Sequence, residues 1–281
     1  MAGVESDVRS VAAADGVALE YEVLGQGPTV VLVHGALGSR LVFSRQRSAL
    51  AERYRLILPS ARGHDGTTAV WPNDYGINGS EIDDLRAVLA AEGTDRIRLI
   101  GHSSGGAVCF AFARRFPERV DRMVLIEPSL LAHQPNPPEL IKLAETIEEI
   151  AEIGEAQGDM AALRATLDMV AGHAWRQLDE ETKTVRLKAM QHLATFVVPH
   201  WRALFSHVVA DADLQALQPP TLLLYGDASF AFEAAIAARF QSVRPDLPQI
   251  LLPDAGHAAH LERADIATPA ILDFLNDGAS S

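Results

Sequence analysis

The stretch that decides the fold is Ile97-Arg98-Leu99-Ile100-Gly101-His102-Ser103-Ser104-Gly105-Gly106. Its mostly apolar first residues predict a short strand, and the small residues after Gly105 begin a helix. Ser103 lies between Gly101 and Gly105. A Cβ at either glycine would collide with a neighbouring strand or helix. This strand–turn–helix context predicts that Ser103 is a nucleophile exposed at the carboxyl edge of a sheet.

Short apolar runs alternate with helical segments on both sides of this stretch, which indicates βαβ units and a mainly parallel sheet flanked by helices. The predicted strands are Val17–Leu24, Thr29–Val33, Arg55–Leu58, Ile97–Ile100, Met123–Ile126, Thr221–Tyr225 and Gln249–Leu252. A helix opened by Ser80 and Asp83 is expected to run toward Gly93, and another ends the fold at Ile266–Phe274.

The strand signals disappear between about Leu131 and Leu217. Apolar residues recur there at helical spacing, as in Leu140, Leu143 and Ile147, so this region reads as inserted helices. We therefore expect a core built from residues 1–130 and 214–281, and a helical insertion, residues 131–213, that forms a lid.

Composition limits the functions that this chain can serve. It has 281 residues and a formal net charge of −13, which argues against binding nucleic acid because such partners require a basic surface. No window approaches the ~18 apolar residues of a spanning helix, and the first residues lack a basic and apolar leader. We expect a cytoplasmic protein without a membrane partner, and a homodimer stays open. The single cysteine, Cys109, lies in an apolar stretch typical of a buried residue.

A serine hydroxyl needs an imidazole to accept its proton and a carboxylate to orient that imidazole. His257 is the predicted base, because Pro253-Asp254-Ala255-Gly256-His257 follows the last apolar strand and a loop there can return over the sheet edge. The neighbouring His260 is expected to be structural or exposed.

The motifs Leu32-Val33-His34-Gly35-Ala36, Gly101–Gly105 and Asp254–His257 occur in this order. With them the chain, from about Asp15 to Phe274, resembles the lid-bearing branch of the α/β-hydrolase superfamily. The resemblance implies an oxyanion hole formed by the backbone N–H groups of Ala36 and Ser104, with His34 supporting a turn. Preorganised backbone donors suit this role because they need no reorganisation as charge develops.

The triad acid is where the sequence departs from the family's commonest pattern. The position that usually carries an aspartate is Ser229 here. Asp227 lies nearby, and Glu127 fills the alternative position, at the end of the preceding strand, that some branches use. Glu127 is preferred because an unpaired glutamate is costly to bury at the end of an apolar strand, and Asp227 is kept as the alternative acid.

The helical insertion supplies candidate pocket walls, for which Trp175, Trp201 and Phe205 are the best choices. Its histidines His192, His200 and His207 are too widely spaced for a helical zinc pair, so no metal site is expected. In the loop after Pro59, which also departs from the family pattern, a role for His64 or Asp65 at the pocket rim stays open.

These residues predict cofactor-free hydrolysis of a small apolar carboxylic ester or lactone through an acyl-enzyme. Two enzymatic alternatives keep the same triad: a carbon–carbon bond hydrolase and a perhydrolase. A non-enzymatic alternative is a ligand-binding receptor of the same fold. The sequence does not separate the enzymatic ones.

Overall fold

The computed structural model describes residues 6–276, except for 73, 135, 171–174 and 176. The strands are β1 (Ser6–Ala12), β2 (Ala18–Leu24), β3 (Thr29–Val33), β4 (Arg55–Pro59), β5 (Ile97–His102), β6 (Val120–Ile126), β7 (Ala132–Gln134), β8 (Val208–Ala210), β9 (Thr221–Gly226) and β10 (Gln249–Leu252). The α-helices are α1 (Arg47–Ala51), α2 (Ile82–Ala91), α3 (Ser104–Arg115), α4 (Pro138–Gln157), α5 (Asp159–Val170), α6 (Glu180–Ala189), α7 (Val197–Ser206), α8 (Asp211–Gln215), α9 (Ala231–Val243), α10 (Ala259–Glu262) and α11 (Ala264–Asn276).

Eight strands form one sheet in the order β1-β2-β4-β3-β5-β6-β9-β10. The pairs β1–β2 and β2–β4 are antiparallel and the remaining pairs are parallel, which confirms the expected mainly parallel sheet. The strand β5 lies between β3 and β6. The carboxyl ends of these three strands therefore meet at one edge, where ligands bind in open α/β sheets.

The central strands are buried on both faces because their apolar runs alternate between two clusters. Val31, Leu99 and Leu125 belong to the cluster that packs against α2 and α3. Their chain neighbours Val30, Ile100 and Val124 belong to the cluster that includes residues of α1 and α11. Parallel strands covered by helices on both sides read as continuous apolar runs, which is why the sequence located them well.

The edge strand β1 was not predicted. It pairs with β2 from Ser6 opposite Leu24 to Ala12 opposite Ala18, but six of its seven residues are exposed. Its sequence, Ser-Asp-Val-Arg-Ser-Val-Ala, has no apolar run because it has no face buried in the core.

The predicted start of the second helix was wrong in detail. A π-helical turn over Ile77–Glu81 precedes α2, and the side chain of the N-cap residue of α2, Glu81, makes no capping hydrogen bond. The Ser80 hydroxyl instead accepts the backbone N–H of Gly76 at 3.2 Å. Gly93, with φ at 59°, follows the helix end as expected.

The helical insertion contains α4 to α7, and two short strands near its ends, β7 and β8, pair in parallel. Neither strand was predicted, because three residues are too few to show an alternating pattern. Within the described ranges, no helix combines the length and apolarity that crossing a membrane requires.

Candidate active site

Ser103 lies in the tight turn between β5 and α3, with φ at 55° and ψ at −125°. An added Cβ at Gly101 would lie 2.5 Å from the carbonyl oxygen of Gly105, and one at Gly105 would lie 2.2 Å from that of Val33. The helix and the neighbouring strand thus leave no room for side chains at these two positions. This close packing holds Ser103 in a conformation that non-glycine residues seldom adopt.

Three of the predicted residues form one hydrogen-bonded series. Nε2 of His257 lies 3.0 Å from Oγ of Ser103, and Nδ1 of His257 lies 2.9 Å from Oε2 of Glu127. The alternative acid, Asp227, is exposed in the turn after β9, where its backbone N–H donates to the carbonyl of Leu252. The carboxylate that meets His257 is therefore that of Glu127.

Glu127 is fully buried at the end of β6. The backbone N–H of Gly226 donates to its Oε1 at 2.6 Å, and the hydroxyl of Ser229 donates to its Oε2. Ser229 is the residue at the position where the family resemblance suggests an acid. Its hydroxyl donates to Glu127, so both carboxylate oxygens of this buried side chain have donors.

Glu233, in the first turn of α9, is a neighbour that the sequence analysis did not select. Its Oε1 lies 3.8 Å from Nδ1 of His257, and its side chain is 1% exposed. Among the described residues neither of its oxygens has a hydrogen-bond partner. Burial, and then the nearby charge of Glu127, raise the pKa of Glu233 well above its ordinary value. A glutamate early in a helix commonly lies in solvent, so no pattern in the sequence distinguishes this one.

The loop after β3 carries the predicted oxyanion donor. The backbone N–H of Ala36 donates to the side-chain Oγ of Ser104 at 2.8 Å, and that of Leu37 donates to Nε2 of His64 at 3.1 Å. His34 accepts the backbone N–H of Ala61 at 3.0 Å. Two buried imidazoles thus support this loop, while the N–H of Ser104 lies in the first turn of α3, where donors have no carbonyl partner within the helix.

Two further histidines lie behind His257. Nε2 of His102 lies 2.9 Å from the backbone carbonyl oxygen of His257. The ring of His102 is 5.0 Å from that of His257 and 4.8 Å from that of His260. Burial lowers the pKa of His260 to about 4, and burial with its two histidine neighbours lowers the pKa of His102 well below its ordinary value. His102 and His260 are therefore neutral at physiological pH.

A cavity of about 230 Å³ opens from Ser103 and His257 toward the helical insertion. Trp201, of the three predicted pocket walls, lines it. Trp175 and Phe205 do not. Trp175 is buried with its indole N–H on Asp168 at 2.6 Å, and Phe205 packs against the main apolar cluster. The other apolar lining residues, which the sequence analysis did not select as pocket walls, are Leu37, Leu167, Val170, Phe196, Val197, Leu204, Phe230 and Phe232.

Two polar side chains of the insertion lie in the wall of this cavity. Thr166 on α5 and His200 on α7 line it, and both side chains are at least 95% buried. Within the described part of the chain, Oγ1 of Thr166 and Nε2 of His200 have no hydrogen-bond partner. Burial lowers the pKa of His200 to about 3, so this imidazole is neutral. The cavity wall therefore contains two uncharged polar side chains whose unpaired atoms have almost no accessible surface.

Residues 28–151 match the family model described as alpha/beta hydrolase fold. The 2-hydroxy-6-oxo-6-phenylhexa-2,4-dienoate hydrolase of Burkholderia cepacia is 26% identical over 271 residues, which cover 90% of each chain. Carboxylesterase YbfK of Bacillus subtilis is 26% identical over 261 residues, covering 89% of this chain and 81% of that relative. The crystal structure of the enol-lactonase from Burkholderia xenovorans LB400 superposes with a TM-score of 0.75 at 21% identity, covering 95% of this chain and all of that one.

An uncharacterized protein of Mycobacterium tuberculosis is 31% identical over 106 residues, and this match spans only 30% of that protein's length. The sheet order, the turn at Ser103 and the family match agree with one another. The chain has the alpha/beta hydrolase fold, and its residues 28–151 match the model of that family.

Proposed function

We propose that this chain is a cofactor-independent serine hydrolase that cleaves a small neutral carboxylic ester or lactone through an acyl-enzyme. The observation that supports this most strongly is the hydrogen-bonded series from Ser103 through His257 to Glu127 beside a largely apolar cavity. A series of nucleophile, base and orienting acid is what serine acyl transfer requires.

In the proposed reaction, Oγ of Ser103 attacks the carbonyl carbon while Nε2 of His257 accepts the hydroxyl proton. Nδ1–H of His257 donates to Glu127, which fixes the tautomer that leaves Nε2 free to act as the base. Glu127 then stabilises the imidazolium. His257 returns the proton to the leaving alkoxide. It then takes a proton from a water that attacks the acyl carbon, and passes this proton to Oγ of Ser103 as the acid is released.

The proposed oxyanion donors are the backbone N–H groups of Ala36 and Ser104. The hydroxyl of Ser104 is the current acceptor for the Ala36 N–H, and the substrate oxygen takes its place as negative charge develops. The contact of Leu37 with His64 holds the loop, so the donor is in position before the substrate arrives.

The charge of the cavity wall favours a neutral substrate. Among the described residues that line the cavity there is no lysine or arginine, and an unpaired carboxylate is costly to bury. The relative from Burkholderia cepacia is named for a dienoate, which carries a carboxylate. That name favours carbon–carbon bond hydrolysis as the second candidate function, but the cavity lining favours the ester or lactone.

The polar groups of Thr166 and His200 indicate a further feature of the substrate. They lie on helices of the insertion, residues 131–213, which we propose acts as a lid over the cavity. Their unpaired atoms have almost no accessible surface, so a hydroxyl or keto group away from the scissile carbonyl would bond them once either side chain turns toward the cavity, and an unmet buried polar group is unfavourable. We therefore expect an oxygen-bearing neutral acyl group to be preferred over a plain alkyl one.

Three p-nitrophenyl esters of equal chain length test this function: an alkanoate, its ω-hydroxy derivative and its ω-carboxy derivative. We expect the highest kcat/KM for the hydroxy ester, and for the carboxy ester a value at least ~10-fold below that of the alkanoate, because its charge has no partner in the cavity. A Ser103→Ala sample corrects for spontaneous hydrolysis. Preference for the carboxy ester would contradict the neutral class, and release of no more than one equivalent of product would indicate a binding protein.

A further inference from the structure

We infer that Glu233 is a second acid of the His257 site, which holds a proton in the resting state and takes over the negative charge when Glu127 is neutral. In that role Glu233 is a positioning residue that acts through the imidazole of His257. The inference rests on the proposed function of Ser103 and His257.

The surroundings of Glu233 favour its protonated form. The side chain is 1% exposed and its two oxygens have no hydrogen-bond partner among the described residues. An ionised carboxylate in such a place would lose its hydration without gaining donors, which is strongly unfavourable. Glu127 lies nearby, and two carboxylates that share one site do not both ionise readily. The proton therefore resides on Glu233, since Glu127 has the donors.

The imidazole of His257 lies close to both carboxyl groups. Nδ1 of His257 is 2.9 Å from Glu127 and 3.8 Å from Oε1 of Glu233. One carboxylate oxygen of each glutamate and one ring nitrogen of His257 all lie within 4.8 Å of one another. Glu233 therefore needs to move by only about one ångström to bond the same nitrogen that Glu127 orients, a shift of the size that separates a long contact from a hydrogen bond.

The other titratable groups around the site are either neutral or exposed to solvent. His102, at the end of β5, and His260, on α10, are neutral because burial lowers the pKa of each. Ser229 is uncharged. Asp227 and Glu262 are exposed, so solvent screens their charges. The site at rest therefore contains a single buried negative charge, which Glu127 and Glu233 can exchange.

When Glu127 is replaced by glutamine, the balance of charge changes. The like charge that opposed the ionisation of Glu233 is gone, and Glu233 can release its proton to solvent. The resulting carboxylate then accepts Nδ1–H of His257, and His257 still takes the proton of Ser103. No atom other than that one proton leaves the site.

The test compares E127Q, the double variant E127Q/E233Q and the matched control E127Q/D227N in ester hydrolysis. Loss of the triad acid without a substitute lowers kcat by about 10⁴-fold. We expect E127Q to lose only about 10- to 100-fold, because Glu233 substitutes for Glu127, and E127Q/E233Q to reach about 10⁴-fold. E127Q/D227N should match E127Q.

The pH profile gives a readout that a merely structural role would not move. Activity of E127Q needs ionised Glu233, and burial raises the pKa of that group, so activity is present at high pH and is lost as the pH falls. We expect the acid limb of kcat/KM in E127Q to lie at least about one pH unit above that of the unmodified protein. The residual activity of E127Q/E233Q should lack this limb.

Equal activities of E127Q and E127Q/E233Q would overturn the inference, and so would loss of the residual activity in E127Q/D227N. Persistence of catalysis in Ser103→Ala would instead overturn the proposed function, which keeps the two failures distinct.

A stability measurement covers the case in which E127Q does not fold. Above the ordinary pKa of a glutamate, unfolding releases the proton of Glu233, so the unmodified protein loses stability relative to E233Q as the pH rises from that value toward the raised pKa of the buried group. The Tm difference should grow by about 3 °C per pH unit, and a constant difference would contradict the protonation on which the inference depends.

Discussion

Ser103→Ala is expected to lower kcat/KM for the preferred ester by at least ~10⁴-fold, because removing the nucleophile of a triad leaves only binding and oxyanion stabilisation. The variant should fold normally, since alanine has less bulk than serine at a position that already holds a Cβ. Steady-state hydrolysis measures the loss. Labelling with a serine-directed phosphonate should disappear at the same time.

Ser129→Ala is the matched control for that experiment. The hydroxyl of Ser129 lies 3.2 Å from Oγ of Ser103, in the same cavity, but it has no contact with His257 among the described hydrogen bonds. The Ser129→Ala variant should therefore keep the phosphonate labelling. Unchanged labelling of Ser103→Ala, or loss of labelling in Ser129→Ala only, would show that Ser103 is not the nucleophile.

Gly105→Ala is expected to destabilise the fold by about 3 kcal/mol, within the range for overpacked sites. Its Cβ would lie 2.2 Å from the carbonyl oxygen of Val33 and 2.6 Å from that of His34. Both contacts are with backbone atoms, so relief requires β3 and α3 to separate. Thermal unfolding should show Tm lowered by about 6–12 °C.

Gly76→Ala is the control for the loss of a glycine. Apart from its chain neighbours, no atom of the described residues lies closer than 3.8 Å to a Cβ there, and its φ of −171° is extended backbone that any residue adopts. We expect the Tm of this variant to change by no more than about 2 °C. An equal loss in both variants would mean that packing at the turn is not the cause.

The core strands were predictable because each has a physical requirement that the sequence records directly. Thr29–Val33 and Gln249–Leu252 match the observed strands residue for residue, because apolar runs bounded by turn residues have little else to form. The edge strand β1 could not be found in this way. Its register comes from hydrogen bonds with β2, and backbone pairing leaves no pattern in exposed side chains.

The site was predictable to the extent that chemistry restricts residue type and position. Glu127 could be selected because a glutamate that ends a buried strand requires partners. Glu233 and His200 could not, because a single polar residue in an amphipathic helix is usually solvated. Only the packing of α7 and α9 shows that these two side chains face the interior of the protein.

The bond between the Ala36 N–H and the Ser104 hydroxyl has a consequence for selectivity between states of one substrate. In the proposed reaction a neutral carbonyl oxygen gains little by displacing that hydroxyl, because the two are acceptors of similar strength. An oxyanion forms a charge-assisted bond about twice as strong and displaces it readily. The Ser104 hydroxyl therefore cancels most of what this donor would contribute to the ground-state complex, and the net binding that remains appears only as the oxyanion forms.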